Sequence, residues 1–154
     1  LRQLNSTWVY AITRQESGFM TDARSHAGAL GLMQLMPATA QETARRNNIP
    51  LANTSSAVLD PERNIALGTA YLSQLYSQFR GNRVLASAAY NAGPGRVRQW
   101  TRDLPAMPAD IWIETIPFDE TRSYVQSVLT YGVIYGEKLG IRQPVMEPHE
   151  KYIE

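Results

Sequence analysis

The chain contains no cysteine, which excludes disulfides and thiolate-bound metal. Histidine occurs only as His26 and His149, too few for a His-rich metal centre. Lysine is almost missing as well, with Lys138 and Lys151 alone, so nearly all positive charge is arginine. Arginine suits fixed, planar contacts to carboxylates and polar groups. Neither sign of charge predominates: 15 basic and 14 acidic residues leave a net charge of +1. A duplex nucleic-acid binder would carry a basic footprint, and none is present. No apolar run approaches the roughly 20 residues of a membrane-spanning helix. No secretory leader is visible, although the chain opens on Leu1 rather than on methionine. No motif calls for a cofactor or a metal.

What is present fits one domain: 154 residues, 44% of them hydrophobic, enough for an ordinary core. Helical spacing of Trp8, Val9, Ala11 and Ile12 predicts a first helix from about Asn5 to Glu16, capped by Asn5 or Ser6 and stopped by Gly18. Residues 21 to 32 carry turn chemistry and read as an ordered loop, with room for a short β-pair. Pro37 opens a helix to about Arg46, and 47 to 59 reads as loop. Asp60-Pro61-Glu62 starts a helix to about Phe79, with Ile65, Leu72, Leu75, Tyr76 and Phe79 as its buried face. Asn82 caps an Ala-rich helix to Asn91. After Gly93-Pro94-Gly95 come a short helix through Val97 and Trp100 and an apolar segment, Ile111-Trp112-Ile113. A last long helix, near Asp119 to Leu139, is ended by Gly140. The tail, 141 to 154, is expected to be polar and extended. The class is mainly α, with at most a very small β element after the first helix. A single domain is expected, core about 5 to 140.

The stretch ITRQESGFMTDARSHAGALGLMQLMPATA, residues 12 to 40, draws attention first. It places one acid, Glu16, in the last turn of a helix, where the helix dipole disfavours a charged carboxylate and so favours a proton-carrying one. Burial against Met20, Met33, Leu35 or Met36 would act in the same direction, and Ser17 can orient the carboxyl. Standing alone, a Glu-Ser pair is more often plain surface. In GALGLMQLMP, residues 28 to 37, the leucines read as core. Gln34 is a polar amide among apolar neighbours and must bond either the loop backbone or a ligand. Met36 suits core or cleft. In AYNAGPGRVRQW, residues 89 to 100, Tyr90 and Asn91 offer a ring to stack on and an amide for sugar groups, or else merely close a helix. The Gly-rich turn lacks the spacing and lysine of a phosphate loop. In IPFDETRSYV, residues 116 to 125, Asp119 is read as a helix cap paired with Arg122. Glu120 and Tyr124 share a helix face and can bind hydroxyls. A two-carboxylate glycosidase would need a second acid within about 5 to 10 Å of the first, and Asp22, Glu114 and Glu120 are the candidates.

Glu16-Ser17, GLMQ at 31 to 34, AYNAGPG at 89 to 95 and PFDETRSYV at 117 to 125 stand in this order, and together they closely resemble the catalytic domain of the soluble lytic transglycosylases. The resemblance covers about residues 5 to 140. It implies a goose-lysozyme-like helical fold and cleavage of the β-1,4 bond between N-acetylmuramic acid and N-acetylglucosamine in peptidoglycan glycan strands. It implies a 1,6-anhydro product end instead of hydrolysis. By the same resemblance Glu16 is acid and then base, with Ser17, Gln34, Met36, Tyr90, Asn91, Glu120 and Tyr124 as substrate contacts. A periplasmic address and a helical N-terminal superhelix preceding this stretch, of which the chain would be a fragment, are further implications. The competing expectations are a hydrolytic muramidase of the same fold and a non-catalytic peptidoglycan-binding module, with a helix-turn-helix DNA binder far behind.

Overall fold

The computed structural model describes residues 4–154. The backbone forms two compact units, one from Ile12–Ser73 and one from Asn5–Ala11 with Gln74–Glu154. Two helices, α1 (Ser6–Ser17) and α4 (Pro61–Gln78), supply residues to both. No described helix is long and apolar enough to cross a membrane.

In the first unit, the end of α1 leads through a loop into α2 (Pro37–Arg46), which opens on its proline as expected. The segment 47 to 59 is not wholly loop. It contains α3 (Ser55–Leu59), whose N-cap Thr54 accepts from the Ala57 N–H at 3.2 Å. Five residues are too few to show a helical period, so this turn had only its cap as a sequence signal. Leu30 and Leu35 from the loop, Ala40 and Ala44 of α2, Val58 of α3 and Leu67 of α4 form one buried cluster. On α4 the expected face needs a correction. Ile65 is 41% exposed, while Asn64 beside it is fully buried. The stripe runs through Asn64, Leu67, Leu72 and Leu75, because an amide with three backbone partners is better placed inside than an isoleucine at the margin.

In the second unit, Asn5 caps α1 through its Oδ1, which accepts from the Thr7 N–H at 2.8 Å. The indole of Trp8 donates to Ser87 Oγ at 3.0 Å. Ser87 lies on α5 (Arg83–Ala92), capped by Asn82 and buried along Val84, Ala86, Ala88 and Ala89. Those small side chains let α5 pack closely on its neighbours α6 (Pro94–Arg102) and α8 (Asp119–Lys138). The apolar segment at 111 to 113 is helical, α7 (Ala109–Thr115), with Trp112 buried.

The expected β element and the tail also need correction. After the first helix there are only isolated bridges, Arg24 with Leu30 and Leu30 with Leu35. The two-stranded antiparallel sheet lies elsewhere: β1 (Met107–Pro108) pairs with β2 (Tyr152–Ile153) in the tail. The tail is therefore not a free extended segment. It folds back through a 3-10 turn, Pro148–Glu150, and Glu150 is fully buried against Arg83. Earlier in the tail, Gln143 accepts from Asn5 Nδ2 at 2.7 Å. A polar composition conceals this, because the tail's polar groups are used in pairs rather than in solvation.

Candidate active site

Glu16 sits in the penultimate position of α1 and is half-buried, neither in bulk solvent nor sealed from it. The helix closes sharply behind it. The Gly18 N–H donates to the Arg14 carbonyl at 2.9 Å. Ser17 Oγ donates to the Thr13 carbonyl at 3.2 Å and accepts from the Phe19 N–H at 3.1 Å. Its single hydroxyl proton thus goes to the helix backbone, so Ser17 shapes the turn. Gly18 and Phe19 are both left-handed, at φ 61° and 68°. Glycine adopts this freely, but a phenylalanine there is an outlier of the kind that tertiary structure must hold in place.

Gln34 also has a left-handed backbone, φ 49°. It ends a tight turn from Gly31, closed by reciprocal bonds between Leu30 and Leu35 at 2.9 Å each. Of the two alternatives for its amide, the structure adopts the first: Nε2 donates to the Ala23 and Gly31 carbonyls at 3.0 and 2.8 Å. Its Oε1 accepts from no group among the described residues. Met36 is 42% exposed at the N-cap of α2, near Gly28.

One residue of this unit escaped the sequence reading. Asn64 Nδ2 donates to the Leu30 and Val58 carbonyls at 2.9 and 2.8 Å, and its Oδ1 accepts from the Met33 N–H at 2.8 Å. It pins the loop that carries Gln34. Gly31, at φ 82°, lies so close that a Cβ there would meet Asn64 Nδ2 at 2.4 Å. The available signal was an amide inside a helix's apolar stripe, the same argument that singled out Gln34. Asn64→Ala removes the side-chain bonds to the Val58 carbonyl and the Met33 N–H and leaves the Leu30 carbonyl with the Leu35 N–H alone. It is expected to lower unfolding stability by at least about 1–3 kcal/mol, read from urea denaturation, while leaving the helical circular dichroism signal in place.

In the second unit, Tyr90 and Asn91 occupy the last turn of α5, both half-buried. Gly93, at φ 96°, then turns the chain directly into α6 with Pro94 as its first residue. The Asn91 amide is held at both ends. Its Oδ1 accepts from Thr121 Oγ1 at 2.7 Å, and its Nδ2 donates to Glu120 Oε2 at 3.3 Å. Thr121 is buried and also went unrecognised, since a threonine between two charged residues gives no pattern. Glu120 is exposed in the first turn of α8. Tyr124 lies one turn further on but is buried, so the two differ in accessibility despite their shared face. Asp119 is not the cap: Phe118 holds that position without a side-chain bond. Asp119 instead accepts from Arg122 Nη1 and Nη2 at 3.0 and 2.9 Å.

The candidates for a second acid fall into both units. Asp22 is exposed in the first. In the second, Glu114 Oε2 accepts from Gln126 Nε2 at 3.1 Å and Glu120 is engaged by Asn91.

A family model described as the transglycosylase SLT domain matches residues 2–113. A second, described as the soluble lytic transglycosylase helical domain, matches residues 115–144. The soluble lytic murein transglycosylase of Salmonella typhimurium is 43% identical over 150 residues, 97% of this chain and 23% of that protein. Among solved structures, the lytic transglycosylase Slt of Pseudomonas aeruginosa, a Glu-to-Gln variant described as inactive, has a TM-score of 0.95 at 63% identity. It is matched over 99% of this chain and 25% of its own. The 70-kDa soluble lytic transglycosylase of Escherichia coli has a TM-score of 0.91 at 42% identity, over 97% of this chain and 24% of its own. The chain thus spans about a quarter of the length of these relatives. The mainly helical, lysozyme-like class expected from the sequence is the class these structures share.

Proposed function

This chain belongs to the SLT transglycosylase domain family, and on that premise we propose that it cleaves the β-1,4 bond between N-acetylmuramic acid and N-acetylglucosamine in peptidoglycan without consuming water. The observation that carries the reading is Glu16 itself, a half-buried carboxyl on the closing turn of α1, within a fold shared with lytic transglycosylases. The naming of a Glu-to-Gln variant of the Pseudomonas aeruginosa protein as inactive supports a glutamate as the essential group.

In this reading Glu16 protonates the departing glycosidic oxygen as the bond to the muramic acid C1 breaks. The muramic acid 6-hydroxyl then attacks C1, and its proton returns to Glu16. The carboxyl ends as it began, and the product carries a 1,6-anhydro ring. The substrate's acetamido group steadies the positive charge at C1, so no second protein carboxylate is needed.

The remaining residues serve as substrate contacts. Gln34 presents its Oε1 from an amide already oriented by the loop, and Met36 offers an exposed apolar surface. Ser17 shapes the turn beside Glu16. Asn91, clamped by Thr121 and Glu120, keeps its amide fixed for sugar substituents, with Tyr90 adding a ring; Tyr124 is buried and is assigned as a contact on the family resemblance alone. Glycan strands are the partner, and the periplasm is the corresponding compartment.

Mass spectrometry of muropeptides released from purified peptidoglycan tests the reading. The expected products are lighter by one water than the hydrolytic muropeptides. Reducing-end products in their place would make the protein a hydrolase and send the search to Asp22, Glu114 and Glu120.

A further inference from the structure

The second unit holds a cleft of about 350 Å³ that the catalytic reading does not use. It lies by the turn between α4 and α5, with Asn82 and Leu85 in its wall. Asn91 is six residues beyond Leu85, so along α5 it lies about 9 Å from this wall at 1.5 Å per residue.

The chemistry of the lining is specific. Arg80 and Arg98 both line the cleft, and neither guanidinium group has an ion-pair or hydrogen-bond partner among the described residues. Arg80 is also held in a left-handed backbone, φ 57°, where glycine would be easier to accommodate. His149 is fixed by its Nε2–H, which donates to the Gly81 carbonyl at 2.8 Å, so Nδ1 stays available as a further polar contact. Phe79 and Ile153 supply apolar surface, and Glu154 adds one carboxylate. The two guanidinium groups are the cationic part of the lining, and Glu154 offsets them.

We propose that this cleft binds the free terminal carboxylate of a short peptide. Planar guanidinium groups match carboxylates bidentately. A volume within the range of about 300–1,000 Å³ typical of small-ligand sites exceeds what an inorganic oxyanion fills. The apolar wall has a use for side chains, the amide of Gln78 has a use for peptide groups, and the Thr101 hydroxyl, which donates to the Arg98 carbonyl at 2.9 Å, can accept from a peptide N–H.

Isothermal titration of the chain with N-acetyl-Ala-Ala, its C-terminal amide and inorganic phosphate provides the test. The free acid binds, and the amide binds at least tenfold more weakly, as expected for the loss of a charge-assisted contact worth about one decade. Arg80→Gln and Arg98→Gln each weaken the free acid by about tenfold or more on the same ground. Glu154→Gln moves affinity the other way, tightening it, and added salt weakens it. Both arginines are exposed and unpartnered, so unchanged thermal midpoints in these variants show that the fold is intact. Equal binding of acid and amide, affinity indifferent to both arginine variants, or phosphate binding as tightly as the peptide would each overturn the proposal. The titration breaks no bond and involves no candidate catalytic residue, so its outcome is independent of the fate of Glu16.

Discussion

Glu16→Gln is expected to reduce muropeptide release from purified peptidoglycan by about 10²–10⁴-fold, the usual worth of a general acid–base group. Glutamine keeps the shape and most of the polarity of the side chain but can neither deliver a proton to a leaving oxygen nor take one from an attacking hydroxyl. Glu16→Asp keeps the acid and withdraws it by one methylene. Misplacement of about 1 Å can cost near 10²-fold, so this variant should retain measurable but strongly lowered turnover with the same anhydro products. Glu16 is half-buried at a helix end and lies outside the buried hydrophobic cluster of its unit, so both variants should keep the helical circular dichroism spectrum. Binding of the Gln variant to insoluble peptidoglycan, measured by co-sedimentation, should persist, because the proposed substrate contacts lie on other residues. If Glu16→Gln releases muropeptides at the unaltered rate, the enzymatic reading of this carboxyl fails.

The second large effect concerns stability. Glu150 Oε2 accepts from the Arg83 N–H at 2.9 Å and from Arg83 Nε at 2.7 Å. Glu150 Oε1 accepts from Arg83 Nη2 at 2.8 Å and from the Glu147 N–H at 2.7 Å. Arg83 is 5% exposed and Glu150 not at all. Removing one partner strands the other charge in the interior, so Glu150→Gln or Arg83→Met should each cost about 3–5 kcal/mol in guanidinium denaturation. The double variant Arg83→Met/Glu150→Leu should recover much of that loss, because a pair of apolar groups leaves no unpaired charge. The same pair sets a pH dependence. Burial by itself pushes the Glu150 carboxyl up, but the Arg83 guanidinium and the N–H groups of Glu147 and Arg83 outweigh it and hold the group below its ordinary value of 4.5. A depressed carboxyl contributes stability that is fully present above the unfolded value, about 4.3, and is lost as pH falls through the folded one. Thermal midpoints of the parent chain and Glu150→Gln should therefore differ by a constant amount from pH 7 to about 5 and converge on further acidification. Midpoints that stay parallel down to pH 2 would show that the carboxylate's charge is not what holds the tail.

Much of the helical architecture could be read directly, for local reasons. Pro37, Pro61 and Pro94 each stand at the first residue of a helix. Asn82 caps α5 by accepting from the Leu85 N–H, and Gly18 and Gly140 supply left-handed ends. These signals act within one turn of chain, so neighbouring residues suffice to decide them. The chemical identity of the candidate site was legible for the same reason: an acid in the last turn of α1, an amide in a glycine turn and a Tyr-Asn pair at a helix end are each local arrangements.

The remainder depended on groups far apart in the chain. Asn64 reaches back 34 residues to the Leu30 carbonyl, Thr121 meets Asn91 across 30, and Glu150 closes on Arg83 across 67. No period or cap encodes such pairings, because a buried polar group accepts whatever partner the packing brings, and its energy depends on satisfaction rather than on spacing. The sequence by itself determined where most of the longer helices begin and which residues offer acid, amide and ring. Only the tertiary structure decided that the nitrogen end of the Gln34 amide is spent on its own loop, that Asn91 is clamped between Thr121 and Glu120, and that a polar tail becomes a strand anchored by a buried ion pair, since each is settled by long-range desolvation and pairing.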